Sequence, residues 1–494
     1  MPAGAAHLKP KATGEHIRDA SAGARWTSLW LGTIVVVGAV LRLVALGYKS
    51  FWLDEIASVS IARLPEPAFW SMLWRAEGNM ALYYVLLRPW LYLGTGEASM
   101  RVLSTVLGIA SIPIVFFLAR RLLGNNAARV ATLFFSLNAC AIWVSQEARG
   151  YSLLVLAVLI STYVFVCFME RPTWALASAY GAVTGLALYC HYFGLLVPAA
   201  QLISLMALPA GRRRPWKKLT LSASIILLAA IPVLWMIHIQ DIGHITWVER
   251  PSLLELYHVG AYLAAGSGKA VGALLLLLDV VLLVLFLRNL KAAWSRREPD
   301  LLWRHVLVAS SLLTPMVLAL LVSVVRPIFY HRFLIVGLPA WVLMTAAGAE
   351  AIGSRRWRWL AIAGVCGLSL VSAIASYSRI KEDWRGVATY LIAQARPEDR
   401  VLYYQPEGFF AVENYRNWLP GGSAPRPPGI AVNLGNDGWE GEIRGAARVW
   451  LVLYRNKPDD PAVPAIEARL TQHYKMELRV PFRAVTVVEY GGGK

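Results

Sequence analysis

Two adjacent carboxylates, Asp54 and Glu55, follow directly after the first long apolar run of the chain. If that run crosses a bilayer, both side chains lie just outside the hydrocarbon, where a carboxylate stays ionised and meets lipid headgroups and water-borne groups. A carboxylate placed there is suited to accept a proton as a general base. The pair also fits the first turn of a solvated helix, where the helix dipole favours acidic residues. The rest of the chain must decide between a catalytic and a structural pair.

The composition is that of a membrane protein. Hydrophobic residues make up 57% of the 494 residues, charged residues only 16%, and the mean hydropathy is +0.51, which is too apolar for a water-soluble globule of this size. The net charge of +18 lies in short clusters between apolar runs, a distribution typical of cytoplasmic loops and not of a nucleic-acid-binding surface. The four cysteines lie in apolar segments without CxxC spacing, so we predict small core residues and no disulfide framework.

About eleven apolar segments approach the length of roughly 20 residues that a membrane-spanning helix needs. They are residues 26–46, 102–118, 130–144, 151–169, 174–189, 193–208, 219–239, 271–287, 306–325, 333–349 and 360–377. With this assignment the dense basic clusters, such as GRRRPWKK at 211–218, fall on one side. We therefore predict an α-helical, multi-pass protein of the cell inner membrane with a disordered, basic, cytoplasmic tail over residues 1–25 and a transmembrane domain over 26–377.

The apolar segment 80–93 is too short to span and contains Arg88 and Pro89, so we predict a helix at the membrane interface. Residues 47–100 then form one extracytoplasmic loop with two surface-lying helices. Residues 378–494 alternate between helical patterns (384–394, 409–418, 465–474) and strand patterns (401–405, IAVNL at 430–434, 449–454, 484–490). This alternation predicts a small extracytoplasmic α/β domain, which contains neither a P-loop nor a GxGxxG motif.

With this topology, polar residues in apolar surroundings collect on the outer side, and a convergent set of this kind indicates a site. The candidates for donor phosphate or substrate binding are Asn79, Tyr83, Tyr84, Arg101, Glu147, Arg149, Tyr151, His191, Tyr192, Tyr330, His331 and Arg332, and the loop 240–268 adds Asp241, His244, Trp247, Glu249 and Arg250.

Each candidate also has a structural alternative. Tyr83 and Tyr84 fit an aromatic belt, and His191 with Tyr192 fits an interfacial pair. Arg42 and Arg101 fit side chains that extend to the lipid headgroups. Glu147 and Arg149 are two residues apart and do not face each other along a helix, so we expect them to have separate partners.

A carboxylate pair among arginines fits transfer of a sugar from a polyprenyl-phosphate carrier. The phosphate is already a good leaving group, so such a reaction needs a base for the acceptor proton and cations for the departing phosphate. Asp54 is the predicted base, and Glu55 orients the acceptor or raises the pKa of the base by like charge. The two carboxylates are also candidates to hold a divalent cation, although no His or further carboxylate nearby completes a ligand set.

Six motifs occur in the order SFWLDEI, NMALYYVLL, EASMRVLS, ARRLLG, SQEARGYSLL and YHRFLIVGLP. Together they resemble the protein O-mannosyltransferase and aminoarabinose transferase branch of the C-type glycosyltransferases, over the first ten spans and the first outer loop. The resemblance implies an inverting transferase of the extracytoplasmic face, with Asp54 as catalytic residue and Arg101 as an arginine important for activity. Where the family commonly has a basic residue or His followed by Pro-Pro, this chain has Asn79, Met80 and Ala81.

The sequence leaves two other function classes open. A transporter or lipid-binding membrane protein would use the same charged cavity without chemistry, although its charges would normally lie near the midplane of paired repeats. An assembly partner would bind through its outer domain. The acceptor, whether lipid, glycan or protein hydroxyl or phosphate, is not specified by any motif.

Overall fold

A computed structural model describes residues 13–209, 211, 214–240, 248–266, 270–421, 425, 427–432, 438–454 and 460–492. Asp241, His244 and Trp247, predicted to belong to the site, lie outside the described residues, as do residues 1–12 of the predicted disordered tail. The first helix begins at Thr13, within the segment 1–25 for which the sequence predicts a disordered tail.

The described part of the transmembrane region is built from α-helices and short 3₁₀ turns. The helices are α1 (Thr13–Leu43), α2 (Leu53–Arg63), α3 (Glu66–Arg75), α4 (Ala81–Trp90), α5 (Glu97–Leu123), α6 (Asn125–Leu137), α7 (Ala139–Ser145), α8 (Tyr151–Glu170), α9 (Trp174–Cys190), α10 (Leu196–Ser204), α11 (Trp216–Ile239), α12 (Leu253–Ala265), α13 (Ala270–Ser295), α14 (Pro299–Ser323), α15 (Leu338–Glu350) and α16 (Arg355–Tyr377).

Among the described residues, eight helical segments are long and apolar enough to cross a membrane: those of α1, α5, α8, α11, α13, α14, α16, and α15 with its preceding 3₁₀ turn. The pair α6 and α7 is bent by 53° and would make a ninth span. Two shorter apolar helical segments, Trp174–Cys190 and Tyr192–Ala207, occupy the remaining positions where the sequence predicts spans. The predicted class of a polytopic helical membrane protein is confirmed.

The bend between α6 and α7 has a local cause. Asn138 has an extended ψ of 121°, and its side chain accepts a hydrogen bond from the Ala141 N–H and donates to the carbonyls of Leu263 and Ala264. An asparagine cap of this kind ends one helix and starts the next. Arg42, which is fully buried, donates to the carbonyls of Phe135 and Ser136 at the end of α6. The alternative in which Arg42 extends to the lipid headgroups is therefore wrong.

The segment between α1 and α5 contains three α-helices, α2, α3 and α4, where the sequence predicts two. Helix α2 has Asp54 and Glu55 in its first turn and Arg63 in its last, charges that suit the helix dipole. Pro65 follows and prevents its continuation. Helix α4 buries Tyr83 and Tyr84 almost completely, so neither tyrosine belongs to an aromatic belt facing lipid.

The described residues of the C-terminal part form four helices and a five-stranded sheet. The elements are α17 (Trp384–Gln394), β1 (Arg400–Tyr404), α18 (Glu407–Arg416), β2 (Gly429–Val432), α19 (Trp439–Ile443), β3 (Arg448–Tyr454), α20 (Ala462–Thr471), β4 (Lys475–Phe482) and β5 (Val485–Gly491). The sheet order is β2-β1-β3-β5-β4, parallel between β1 and its two neighbours and antiparallel between β5 and both of its own. The predicted α/β class is confirmed; α19 and β4 are elements that the sequence pattern did not predict.

Candidate active site

The two adjacent carboxylates have different surroundings. Asp54 and Glu55 lie side by side in the first turn of α2, and successive helical residues point in directions about 100° apart. The side chain of Glu55 is 1% exposed, whereas that of Asp54 is 37% exposed. Only Asp54 is accessible to a substrate.

Glu55 is held by Arg101 of α5 in a buried ion pair. Arg101 Nε lies 2.8 Å from Glu55 Oε1 and Arg101 Nη2 lies 2.7 Å from Oε2, the two-point geometry of strong guanidinium–carboxylate pairs. The Ala148 N–H, just before α8, also donates to Glu55 Oε1 at 2.8 Å. Glu55 therefore joins the start of α2 to α5 and to the α7–α8 junction.

Arg101 has no N–H group left for a ligand in this arrangement. Its remaining donors bind the carbonyls of Leu46 and Lys49 at 2.8 Å and Ser50 at 3.2 Å, which accounts for all five N–H groups of a guanidinium. This geometry suits a positioning role for Arg101, and the phosphate contact expected from the sequence stays a prediction.

Asp54 faces the arginine of the SQEARGY motif, Arg149. Asp54 Oδ2 lies 3.9 Å from Arg149 Nη2, and Arg149 Nη1 donates to the Asp54 carbonyl, to Ser58 Oγ and to Tyr84 Oη at 3.2 to 3.3 Å. The Arg149 backbone carbonyl accepts from Ser104 Oγ, which in turn contacts Tyr83 Oη. Arg149 is thus fixed by groups from α2, α4 and α5.

Glu147 has different partners from Arg149, as its spacing predicts. Its Oε1 contacts Lys381 Nζ and lies 3.4 Å from Arg332 Nη2. Both cations also lie over the Trp52 ring, Lys381 Nζ at 3.6 Å and the Arg332 guanidinium at 4.5 Å from its centroid. Glu147 Oε2 is buried and accepts no hydrogen bond from any residue that the structure describes. Trp52 immediately precedes α2, so this cluster lies beside Asp54.

The charges of the cluster shift one another's pKa values. Burial opposes ionisation of Glu147, but Lys381 and Arg332 outweigh it and lower the pKa of Glu147 to about 2. Burial and the neighbouring Arg332 lower the pKa of Lys381 to about 7. Burial, with Arg101 nearby, lowers the pKa of Lys49 to about 8. Glu147 is therefore a carboxylate at neutral pH, whereas Lys381 and Lys49 have pKa values close to neutral pH.

His191 lies behind Arg149 as a buried, neutral imidazole. Burial and the charge of Arg149 lower its pKa to about 3. Its Nε2 lies 3.3 Å from Asn79 Nδ2, and Asn79 Oδ1 accepts from the Tyr192 N–H at 3.0 Å. Tyr151 packs on the same imidazole, with ring centroids 6.1 Å apart. Four residues predicted from the sequence thus pack together next to Arg149, and none of them carries a positive charge: Asn79, Tyr151, His191 and Tyr192.

Tyr330 and His331 border the site on a further side, next to Arg332. Their rings are 4.2 Å apart. His331 Nδ1 lies 3.8 Å from Glu255 Oε2 of α12, and burial with the charge of Arg332 lowers the pKa of His331 to about 4. Glu249 and Arg250 precede α12 in the described chain, and no interaction with Asp54 is shown for either.

The carboxylate doublet does not fit a shared metal site. Both oxygens of Glu55 are taken by Arg101 and the Ala148 N–H, so Glu55 and Asp54 cannot offer oxygens to one cation without breaking this pair. Across the described residues, no three His, Cys, Asp or Glu side chains are placed to hold a metal ion.

Sequence reasoning missed the residues that come from the far end of the chain. Lys381 and Glu382 come shortly after the end of α16, the last apolar span. Asp54 likewise comes shortly after the end of the first apolar span. Lys49 and Trp52 lie within five residues of Asp54. A charged run next to a span end was the available signal, but only the fold shows that residues 49–55 and 381–385 meet.

A family model and several solved structures of known proteins are similar to this chain. A family model described as dolichyl-phosphate-mannose-protein mannosyltransferase matches residues 81–237, about a third of the chain. Two crystal structures of ArnT from Cupriavidus metallidurans are similar over nearly the whole length. The apo state has a TM-score of 0.58 and 14% sequence identity, and the match covers 95% of this chain and 98% of that one. The form bound to undecaprenyl phosphate has a TM-score of 0.60 and 13% identity, and the match covers 93% of this chain and 98% of that one. The chain has the C-type glycosyltransferase fold.

A more distant structure has the same fold. The Archaeoglobus fulgidus oligosaccharyltransferase in the apo form matches with a TM-score of 0.54 and 12% identity, covering 86% of this chain and 69% of that one. No curated protein sequence matches the chain significantly. The resemblance to C-type glycosyltransferases inferred from the motifs is confirmed at the level of the fold, and the segment matched by the family model contains Arg101, Glu147, Arg149 and His191.

Proposed function

We propose that this protein transfers a sugar from a polyprenyl-phosphate carrier to an acceptor hydroxyl or phosphate on the extracytoplasmic face of the inner membrane. The observation that carries the proposal is the pairing of Asp54 with Arg149: a part-exposed carboxylate lies 3.9 Å from a guanidinium at the end of a helical bundle with the C-type fold. Support also comes from one of the similar ArnT structures, which is bound to undecaprenyl phosphate.

Asp54 acts as the base in this mechanism. The acceptor O–H gives its proton to the Asp54 carboxylate while the acceptor oxygen forms a bond to the anomeric carbon. The bond from that carbon to the phosphate oxygen breaks on the opposite side, which inverts the configuration, and the phosphate departs with the electron pair. Asp54 is suited to this role because its oxygens are accessible, whereas those of Glu55 are bound to Arg101.

Arg149 and Arg332 are the proposed contacts of the departing phosphate. Arg149 Nε is buried and has no hydrogen-bond partner among the described residues. The Arg332 contact to Glu147, at 3.4 Å, is long enough to be exchanged for a closer one. A guanidinium suits phosphate because it offers two parallel N–H groups and stays charged. With Asn79 in place of the basic residue common in the family, these arginines are the proposed substitute for that charge.

The test is an Asp54→Asn variant assayed with a panel of labelled polyprenyl-phosphate sugars. A base of this type contributes ~10²- to 10⁴-fold to the rate, so we expect kcat to fall by at least ~100-fold while the affinity for undecaprenyl phosphate is unchanged. The control is Glu66→Gln, which removes a 66% exposed carboxylate of α3 and should leave kcat unchanged.

Two results would count against the proposal. If the purified wild-type protein transfers none of the labelled sugars, the reaction class is wrong. If Asp54→Asn transfers at the wild-type rate, the base is misassigned; a transporter that uses the same charges without chemistry would show lipid movement that is indifferent to this change.

A further inference from the structure

Glu382, in the segment that leads from α16 into the C-terminal domain, is buried at 3% exposure and caps the helix that carries Asp54. Glu382 Oε2 accepts hydrogen bonds from the Leu53 N–H and from Trp384 Nε1, both at 2.8 Å. Leu53 is the first residue of α2, and its N–H has no partner within the helix. An anion at this position also suits the positive end of the helix dipole.

The other oxygen of Glu382 connects this cap to the sheet. Tyr454, the last residue of β3, donates its hydroxyl to Glu382 Oε1 at 2.8 Å. Its ring packs on Trp384 of α17, with centroids 4.9 Å apart. A carboxylate that receives three such hydrogen bonds links α2 to the centre of the C-terminal sheet through a single side chain.

Residues immediately before α2 also form hydrogen bonds with the C-terminal domain. The Phe51 N–H donates to Tyr415 Oη of α18 at 2.6 Å, and the Arg385 N–H donates to Ser50 Oγ at 3.1 Å. The Arg385 guanidinium donates to the Tyr48 carbonyl at 2.6 Å. The entry to α2 is therefore fixed on one side by Arg101 and on the other by the C-terminal domain.

Lys381 adds a contact at the charged cluster. Its Nζ lies between the rings of Trp52 and Trp143, at 3.6 and 4.9 Å from their centroids, and pairs with Glu147. The C-terminal segment thus supplies one partly buried cation beside the site and one buried anion at the start of α2, within two consecutive residues.

From this geometry we propose that the C-terminal domain is an obligatory part of the catalytic centre, with Glu382 as the positioning residue that sets α2, and hence Asp54, through the Leu53 N–H. The inference rests on the proposed function, because it assigns what Glu382 does for the Asp54 base. Glu382 acts through Leu53 and touches no substrate.

The experiment compares Glu382→Ala with Glu382→Gln in the full-length protein. Alanine removes all three acceptor contacts, whereas glutamine keeps one oxygen for Leu53 and Trp384 and turns its amide toward the Tyr454 hydroxyl. Because misplacing a reacting group by about 1 Å reduces rates by ~100-fold, we expect Glu382→Ala to lower kcat by ~10- to 100-fold with the donor KM changed less than ~3-fold. Glu382→Gln should restore most of kcat.

An activity-independent measurement accompanies the kinetics. Hydrogen exchange of the amides at the start of α2 should become faster in Glu382→Ala and return toward the wild-type rate in Glu382→Gln. The control is Glu467→Gln, which removes the partner of Arg479 on the outside of the same domain and should change neither kcat nor exchange at α2. If Glu382→Ala does not fold, Tyr454→Phe, which deletes one donor to Glu382, takes its place with an expected ~2- to 5-fold loss of kcat.

The outcomes separate this proposal from the proposed function. Wild-type kcat in Glu382→Ala, or equal losses in Glu382→Ala and Glu467→Gln, would overturn the positioning role while leaving the reaction intact. Absence of sugar transfer by the wild-type protein would overturn the reaction, and faster exchange at α2 in Glu382→Ala would still support the structural link. Unchanged exchange at α2 would overturn that link.

Discussion

Replacing Arg101 by Met distinguishes a positioning role from a phosphate contact. The change removes both bonds to Glu55 and three bonds to backbone carbonyls, and it leaves a carboxylate that is 1% exposed without its counterion. Breaking a buried ion pair by removing one partner destabilises a protein by about 3–5 kcal/mol. We expect the free energy of unfolding to fall by that amount, and less in Arg101→Lys, which keeps the charge but has fewer donors.

A double-mutant cycle of Arg101→Met and Glu55→Gln measures the coupling energy of the Arg101–Glu55 ion pair. Residues in direct contact commonly show coupling energies of about 0.5–3 kcal/mol, and a two-point buried pair belongs at the upper end. Denaturant unfolding in detergent, followed by tryptophan fluorescence, measures all four corners of the cycle. Arg479→Met is the control, because its pair with Glu467 is on the surface, where a pair contributes about 0–1 kcal/mol.

Affinity for undecaprenyl phosphate then separates the two roles. If Arg101 positions α2, Arg101→Lys binds the lipid phosphate within ~3-fold of wild type while kcat falls, because the reacting carboxylate is displaced. If Arg101 holds the phosphate, its loss weakens binding by ~10-fold or more with little change in stability. The second pattern would refute the assignment of Arg101 drawn from its five protein acceptors.

Three further predictions follow from single contacts. In Arg149→Lys, the lost N–H contacts should weaken binding of undecaprenyl phosphate by ~10-fold, measured by titration against wild type. Folding lowers the pKa of Glu147 to about 2, so the stability that its ionised form contributes is complete above about pH 4.5 and is lost as the pH falls toward 2; the melting temperature of Glu147→Gln should fall less than that of wild type over this interval. Gly348→Ala places a Cβ 1.9 Å from the Leu282 carbonyl oxygen and should lower the unfolding free energy by about 1–3 kcal/mol, whereas Gly367→Ala, with nothing within 4 Å of its Cβ, should not.

The parts of the fold that the sequence predicted are those fixed by local pattern. The apolar segments became helices at the expected places, and the strand pattern over 449–454 matches β3 to within one residue. These predictions succeed because hydropathy and side-chain alternation are local properties. Strand β4 was missed because its residues are almost all exposed, so it lacks the apolar alternation of a half-buried strand.

The structure brings together several residues that the sequence grouped, such as Asp54 with Arg149 and Asn79 with His191, and their roles stay predictions. Glu147 and Arg149 were expected to have separate partners, and they do. The partner of Glu147, however, is Lys381, more than 230 residues away, and no local pattern encodes a contact at such a separation. The predicted function of Glu55 depended on its exposure, which is decided by Arg101 and the α7–α8 junction and not by the sequence around Glu55.

The division of labour within the acidic doublet follows from helix geometry. Two neighbouring side chains in the first turn of α2 cannot both face the same substrate, because their directions differ by about 100°. Once Glu55 is turned inward, its charge requires a buried cation, and Arg101 supplies it while also binding the three carbonyls that lead into α2. Asp54 on the open side then has a fixed backbone and an accessible carboxylate. The contacts that hold Glu55 are the condition for the proposed reactivity of Asp54, so a variant that breaks them should reduce turnover without altering the Asp54 side chain itself.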